Sequence, residues 1–127
     1  MSEVTTVVIT IALSVLFAAM GVLHFVPTTA RGMAAIIPPR LHGKGLLSAK
    51  SLVRFTGVCE FAGAIGLLIP ALHTVAALAL VVFLIAVFPA NVYASQHPER
   101  FGKAAIPFWP RLMLQLALIA LLLLVAF

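Results

Sequence analysis

Long apolar stretches separated by short polar ones dominate the chain. Stretches without Asp, Glu, Lys or Arg cover residues 4–30, 61–98 and 112–127. About 20 apolar residues, rising roughly 1.5 Å each, cross the hydrocarbon core of a bilayer, so the first and last stretches each predict one transmembrane helix. The middle stretch is too long for one crossing. Extending it back to Ser51 gives two crossings joined by a tight turn at 70–73.

This pattern predicts an all-α integral membrane protein, a four-helix bundle forming one domain over residues 1–127. The transmembrane helices are expected at about 4–26, 51–70, 72–93 and 109–127. A short interfacial helix is expected between the first two, at about 29–37. Thr28 and Thr29 can cap its start, and the two prolines at 38–39 must end it.

Composition agrees with a membrane protein that has no room for a soluble domain. Hydrophobic residues make up 64% of the chain and charged residues 9%. A soluble domain carries far more charge. A cleaved signal peptide is the alternative for the first apolar segment. Glu3 precedes that segment and no Lys or Arg does, and the segment is longer than a signal peptide requires, so we expect a transmembrane helix instead.

The basic residues predict the orientation. All eight lie in or beside the first and third loops: Arg31, Arg40, Lys44, Lys50, Arg54, Arg100, Lys103 and Arg111. In a four-span protein these loops share one side of the membrane, and the positive-inside rule places that side in the cytoplasm with both termini outside. The cations are expected against the anionic headgroups of the lipid bilayer. No motif accompanies them that would indicate nucleic acid as a partner.

Cysteine and histidine provide no evident cofactor site. Cys59 is the only cysteine, so the chain has no CxxC pair, and a packing role is expected. A haem between helices needs two facing axial ligands at one depth. Only His24 and His97 share a level, and His97 is expected outside the hydrocarbon, so haem is not expected. No metal site is expected either, because no two ligand side chains lie at helical spacing on one helix.

Glu60 is the residue that most strongly indicates function. It lies in the middle of the second predicted helix, and the only other acids are Glu3 and Glu99. An ionisable side chain at that depth costs several kcal/mol and is by default a candidate for a functional site. The alternative is a structural hydrogen bond between helices, worth about 1 kcal/mol.

The helix that carries Glu60 is rich in small residues, which allow close helix contact in membranes. We therefore expect Glu60 to face the inside of the bundle, at the floor of a narrow polar cleft that opens to the cytoplasm. His24 is expected about a quarter of a span away in depth. The candidate residues for binding a ligand or a proton are Glu60, His24, Asn91, Gln115, Tyr93 and Thr56. No catalytic residue is assigned.

Five segments resemble the DoxX-like family of small four-helix bacterial membrane proteins. They follow one another in the expected order: 21–25 (GVLHF), 36–39 (IIPP), 57–68 (GVCEFAGAIGLL), 88–93 (FPANVY) and 111–115 (RLMLQ). The chain departs from the expected pattern at Cys59 and Ala62, which replace an aliphatic residue and a glycine. The resemblance implies a bundle in the bacterial inner membrane, associated with a redox system.

Three functions are compatible with this sequence. The first is a membrane subunit or binding module that holds a lipophilic ligand such as a quinone beside a redox partner protein. The second is a small proton-coupled transporter that uses Glu60. The third is a membrane enzyme in which Glu60 acts as general acid or base on a lipophilic substrate, although enzymatic activity of the isolated chain is not favoured. A homo-oligomer is compatible with all three.

Overall fold

The chain is entirely helical in the residues that the structure, a computed structural model, describes. These are residues 2–39, 43–45, 48–95 and 108–127, without the side chains at 29, 32, 91, 94 and 95. Five helices follow one another: α1 (Glu3–Leu23), α2 (Pro27–Ala35), α3 (Ala49–Leu68), α4 (His73–Ser95) and α5 (Phe108–Ala126). The four long helices begin and end within about three residues of the predicted transmembrane helices.

Four of the helices are long and apolar enough to span a membrane. They are α1, α3, residues 73–90 of α4, and α5. Large apolar side chains are exposed along all four, for example Val15, Val58, Val82 and Leu114. Exposed apolar side chains at this density fit contact with lipid, and the four candidate spans indicate a multi-pass membrane protein.

Serine residues start two of these helices. The Ser2 Oγ accepts the backbone N–H of Thr5 at 3.1 Å, and the Ser48 Oγ accepts that of Ser51 at 3.3 Å. Each serine therefore satisfies one of the free N–H groups of a first helical turn. α3 ends at Leu68, and its C-cap Ile69 has an extended backbone (φ −99°, ψ 115°) because Pro70 disfavours the helical conformation in the residue before it.

The short helix α2 begins earlier than predicted. It starts at Pro27 with Val26 as N-cap, and no side chain caps it, so the predicted caps at Thr28 and Thr29 are wrong. Proline is favoured in the first turn because its φ is already helical and its missing N–H would have no partner there. The helix ends at Ala35, before the prolines at 38–39, and packs against α3.

α3 lies between two other long helices. α1 packs against it most extensively and α4 packs against it from another side, while α4 also packs against α5 and α1 touches α5 only sparsely. α1 and α3 are antiparallel, since Ser14 pairs with Ala64 and Gly21 approaches Gly57. The turn at 69–72 therefore lies at the same end of the molecule as the start of α1.

The hydrophobic core occupies one half of the molecule. In α3, α4 and α5 its residues all lie in the half of the helix nearest the turn at 69–72. The core consists of Leu13, Phe17, Ala64, Leu67, Ala76, Ala77, Leu80, Leu84, Leu122, Val125 and Ala126. Glu60 lies outside this cluster, towards the opposite end, where α5 contributes no buried residue.

Candidate functional site: a buried acid beside a histidine

Glu60 is buried in the contact between α1 and α3. Only 5% of its surface is exposed, although it is ionisable and belongs to a helix of mainly apolar and small residues. Its neighbours on the same face of α3, Gly57 and Ala64, are buried too. The predicted inward orientation of this face agrees with the structure, except that Ala62 is exposed.

Two glycines allow α1 to approach α3 closely enough to cover Glu60. A Cβ atom on Gly57 would lie 2.6 Å from the Cβ of His24, and one on Gly21 would lie 3.0 Å from the backbone nitrogen of Phe61. Both distances are shorter than ordinary van der Waals contact. The helices can therefore meet at this level only because neither position carries a side chain, as is common for helix pairs in membranes.

His24 is brought directly to the acid. It is the C-cap of α1, and its Nδ1 lies 3.4 Å from the Glu60 Oε2. The expected separation of a quarter of a span is wrong for a geometric reason. Side chains lean towards the N-terminus of their own helix. Because α1 and α3 are antiparallel, the side chains of His24 and Glu60 lean towards each other.

The hydrogen atom on the Nδ1 of His24 is already committed to another acceptor. Nδ1 lies 2.7 Å from the backbone oxygen of Met20, one turn earlier in α1. A carbonyl oxygen only accepts, so Nδ1 must be the donor in that bond. Its N–H then points at Met20, and the longer contact with Glu60 is not a hydrogen bond of good geometry.

One carboxyl oxygen of Glu60 consequently lacks a hydrogen-bond partner. Its Oε2 is buried and makes no hydrogen bond among the described residues. A buried polar atom without a partner typically costs about 1–3 kcal/mol. Such atoms are rare in native proteins and often mark a function or a bound molecule. The arrangement can hold a proton on the acid, or accept a hydrogen bond from, or donate one to, a small group between α1 and α3.

The other predicted site residues do not all join Glu60. The hydroxyl of Thr56 donates to the backbone oxygen of Val53 at 2.8 Å, so that hydroxyl is engaged within α3. Tyr93 in α4 and Gln115 in α5 are half-buried. The side chain of Asn91 lies outside the described residues. Of the predicted set, the structure brings Glu60 and His24 together.

The sequence analysis missed two polar side chains on α1 that face α3. The Ser14 hydroxyl is buried and donates to the backbone oxygen of Ala64 at 2.7 Å. The hydroxyl of Thr10, one turn before it, is buried without a hydrogen-bond partner in the described part of the chain. The signal was present, since Thr6, Thr10 and Ser14 recur every four residues in an otherwise apolar helix.

A second cluster that the sequence analysis missed lies at the other end of α3. The ring of His73 contacts the backbone oxygens of Leu67 and Val125, and the Thr74 hydroxyl donates to the backbone oxygen of Ala126 at 3.1 Å. These contacts tie the start of α4 to the ends of α3 and α5. No spacing rule along the sequence would have predicted them, because they join residues 6 and 52 positions apart.

Metal ligands do not cluster in the described residues. No group of three or more His, Cys, Asp or Glu side chains there could hold a metal ion. Cys59 is a half-buried free thiol next to Glu60 in α3. His97, the only histidine expected near the level of His24, lies outside the described residues.

Comparison with known proteins gives one match. Residues 13–126 match the model of a family described as a domain of unknown function, DUF8561. No curated protein and no solved structure is significantly similar to the chain. Nothing in the match connects the chain with the DoxX-like family, and that resemblance stays a prediction.

Proposed function

This chain belongs to the DUF8561 family, and on that premise we propose that it is a membrane-embedded module that binds a lipophilic ligand, such as a quinone, at Glu60 and His24. The observation that carries the proposal is the buried Oε2 of Glu60, which has no hydrogen-bond partner in the part of the chain that the structure describes. An acid at membrane depth is expensive and is commonly found where a protein binds or moves something. A purely structural acid would be expected to have its oxygens satisfied by the protein itself.

The surroundings of the acid define the ligand class. Glu60 lies between apolar helices whose outer faces suit lipid, so a ligand that reaches it from the membrane must itself be lipophilic. It must also carry a polar group that complements a carboxyl. A quinone carbonyl accepts a hydrogen bond from the protonated acid, and a quinol hydroxyl donates one to the ionised acid. One side chain can therefore bind both forms.

His24, at the end of α1, supports the same ligand from the helix that packs against α3. Its Nδ1 is fixed by the backbone oxygen of Met20, which sets the plane of the imidazole ring. Fixing one ring nitrogen in this way determines which hydrogen-bonding role the other can take. We assign His24 a positioning role beside Glu60. The chain itself is proposed to supply binding, and electrons are proposed to come from a redox partner protein.

The proposal includes an orientation in a bacterial inner membrane. The described cations lie on α2, in the link that follows it, and at the starts of α3 and α5, and that end is proposed to face the cytoplasm. α2 lies between the end of α1 and the start of α3 and is proposed to lie in the interface. Phe108 and Trp109 contact each other with ring centroids 5.3 Å apart at this end of α5. Aromatic side chains of this kind are enriched at the membrane–water boundary.

Ligand binding is tested by titrating a short-chain quinol, kept reduced, into the purified protein in lipid nanodiscs. Glu60→Gln keeps the size of the side chain but cannot carry the negative charge that accepts the quinol hydroxyl, and we expect binding to weaken about 10-fold, since a hydrogen bond to a charged group is worth about 1.5–3 kcal/mol against about 1 kcal/mol for a neutral one. Val58→Ala, an exposed position on the lipid side of α3, is the matched control and should bind as wild type. Equal binding by Glu60→Gln and wild type would overturn the proposal.

Orientation is tested by cysteine labelling with an impermeant reagent in intact cells. In a Cys59→Ala background, cysteines at Ser2 and Phe127 should react from outside, and one at Ser48 should react only after the cells are opened. Labelling of Ser48 from outside, with both terminal positions silent, would reverse the orientation and leave the helix arrangement unchanged.

A small proton-coupled transporter is the second candidate, and the pairing of Glu60 with His24 favours it. The buried carboxyl of Glu60 can take up and release a proton as a substrate arrives or leaves, with the ring of His24 fixed beside it, its Nδ1 3.4 Å from the acid and bonded to Met20. A transporter reconstituted in vesicles would drive cation flux under an imposed pH gradient, and Glu60→Gln would abolish that flux. Flux without quinone binding would select this candidate over the first.

A further inference from the structure

His73 has an acceptor at each ring nitrogen. Its Nδ1 lies 2.9 Å from the backbone oxygen of Leu67, and its Nε2 lies 2.7 Å from the backbone oxygen of Val125. Both distances are those of ordinary hydrogen bonds. A carbonyl oxygen cannot donate, and a neutral imidazole carries only one N–H. The neutral ring can thus satisfy one of these contacts, whereas the doubly protonated ring satisfies both.

The two carbonyl groups belong to the last turns of two different helices. Leu67 lies at the end of α3 and Val125 at the end of α5. The last four carbonyl groups of a helix have no partner within it, and the helix dipole makes that end attractive to a cation. Thr74, the next residue along α4, donates to Ala126 at the same place. At the start of α4, His73 and Thr74 therefore both cap the end of α5, and His73 also caps the end of α3.

We propose that His73 is an imidazolium clasp that holds the carboxyl ends of α3 and α5 together, and that this end of the molecule is consequently held most firmly in acid. Deprotonation of the ring removes one of its two donors, so either α3 or α5 loses its bond. The stabilisation is fully present while the ring is doubly protonated and declines as the ring loses its second N–H.

Few other charged groups face this clasp. On α3 the acid is Glu60, about two turns before Leu67. α1 offers Glu3 in its first turn, and α5 contains no acidic side chain. In the described part of α4, His73 is the only titratable side chain before Tyr93. The pH response of this end is therefore assigned to the ring of His73.

The clasp is distinct from the proposed ligand site. Glu60 and His24 meet where α1 ends, while His73 lies at the turn that follows the end of α3. Glu60 lies about two turns of α3 before Leu67, whose backbone oxygen the ring contacts. A result that overturns the proposal for one site therefore does not affect the proposal for the other.

The charge on His73 is read directly by ¹⁵N NMR of histidine-labelled protein in nanodiscs. Replacing His24, His42 and His97 by Gln leaves His73 as the only imidazole. We expect both ring nitrogens to carry hydrogen at pH 5.5, and one of them to lose it as the pH is raised. A neutral ring at pH 5.5 would overturn the proposal, and this measurement does not require any variant of His73 to fold.

Thermal unfolding between pH 5.5 and pH 8.5 tests the stabilising role. The melting temperature of the protein with His73 as its only imidazole should fall by several degrees across this range. Adding His73→Gln should lower the melting temperature at pH 5.5 and remove most of the dependence on pH. Equal slopes with and without His73 would contradict the clasp.

Discussion

The two histidines that flank α3 meet opposite conditions. His73 has a carbonyl oxygen within hydrogen-bond distance of each ring nitrogen, in the half of the molecule that holds the core. His24 has one carbonyl oxygen at its Nδ1, and the same nitrogen lies near a carboxyl oxygen that has no hydrogen-bond partner in the described residues. His73 and Thr74 find their acceptors within the protein, whereas the acid has a carboxyl oxygen without a hydrogen-bond partner in the part of the chain that the structure describes.

This difference separates stability from function within one helix. Around His73 the protein's own atoms complete the bonding, so removing any of them should cost stability. Around Glu60 the bonding is incomplete, so removing the carboxyl should cost little stability and should instead affect what binds there. The variants below test that separation, from the largest expected effect to the smallest.

The largest effect is expected in the core at the end that contains the clasp. Leu122 is fully buried, and Leu122→Ala should lower the free energy of unfolding by about 2–5 kcal/mol, because the lost side chain leaves a cavity. Leu114→Ala, at an exposed position on the same helix, is the control and should change it little. Denaturant titration in detergent micelles measures both. Similar losses for the two variants would mean that the core has been assigned to the wrong half.

Close contact between α1 and α3 should be the next most sensitive feature. Gly57→Ala places a methyl group 2.6 Å from the Cβ of His24, which the backbone holds, and should cost about 1–3 kcal/mol. Val58→Ala, at an exposed position on the same helix, is the control and should change the stability little. The first variant should therefore be the less stable in thermal unfolding. The reverse order would show that α1 and α3 are not fixed against each other here.

A smaller loss is expected from the hydroxyl next to the clasp. Thr74→Val preserves the shape but removes the bond to the backbone oxygen of Ala126, and should cost about 0.5–1.5 kcal/mol. Thr6→Val is a matched control, because the Thr6 hydroxyl bonds only within the first turn of α1, to Ser2. If thermal unfolding ranks the two variants equally, the contact between helices contributes nothing measurable.

The smallest effect on stability is expected at the acid itself. Glu60→Gln should lower the free energy of unfolding by no more than about 0.5 kcal/mol, the low end for one net hydrogen bond, while quinol binding falls. Parallel unfolding and binding measurements on the same sample check both statements. A loss of stability as large as that of Gly57→Ala would make Glu60 a structural link between the helices.

The helices could be predicted from the sequence because their signals are local. Apolar length and the proline at 70 act within one or two turns, and the observed helices follow them, although the sequence analysis did not use Ser48, which caps α3. Glu60 could be singled out for the same reason, since one acid in an apolar run is visible without any structure. The start of α2 was mispredicted because two threonines suggested a cap, while Pro27 had already fixed the helical backbone.

The contacts between helices could not be predicted in this way. The approach of His24 to Glu60 depends on two glycines, 36 residues apart, meeting at one level and on antiparallel side chains leaning towards each other. His73 was assigned to a turn, and its two acceptors belong to helices that end far apart in the sequence. Such pairings depend on how the helices are placed in three dimensions, which one sequence does not specify.

The short link between α1 and α2 restricts how far these two helices can change their relative orientation. α1 ends at Leu23 and α2 begins at Pro27, so only His24, Phe25 and Val26 join them. Three residues cannot absorb a large change in the angle between two rigid rods, and the first of the three is the histidine that touches the buried acid. A tilt of α2 would therefore move the imidazole ring of His24, and a force applied to α2 would change the contact between His24 and Glu60.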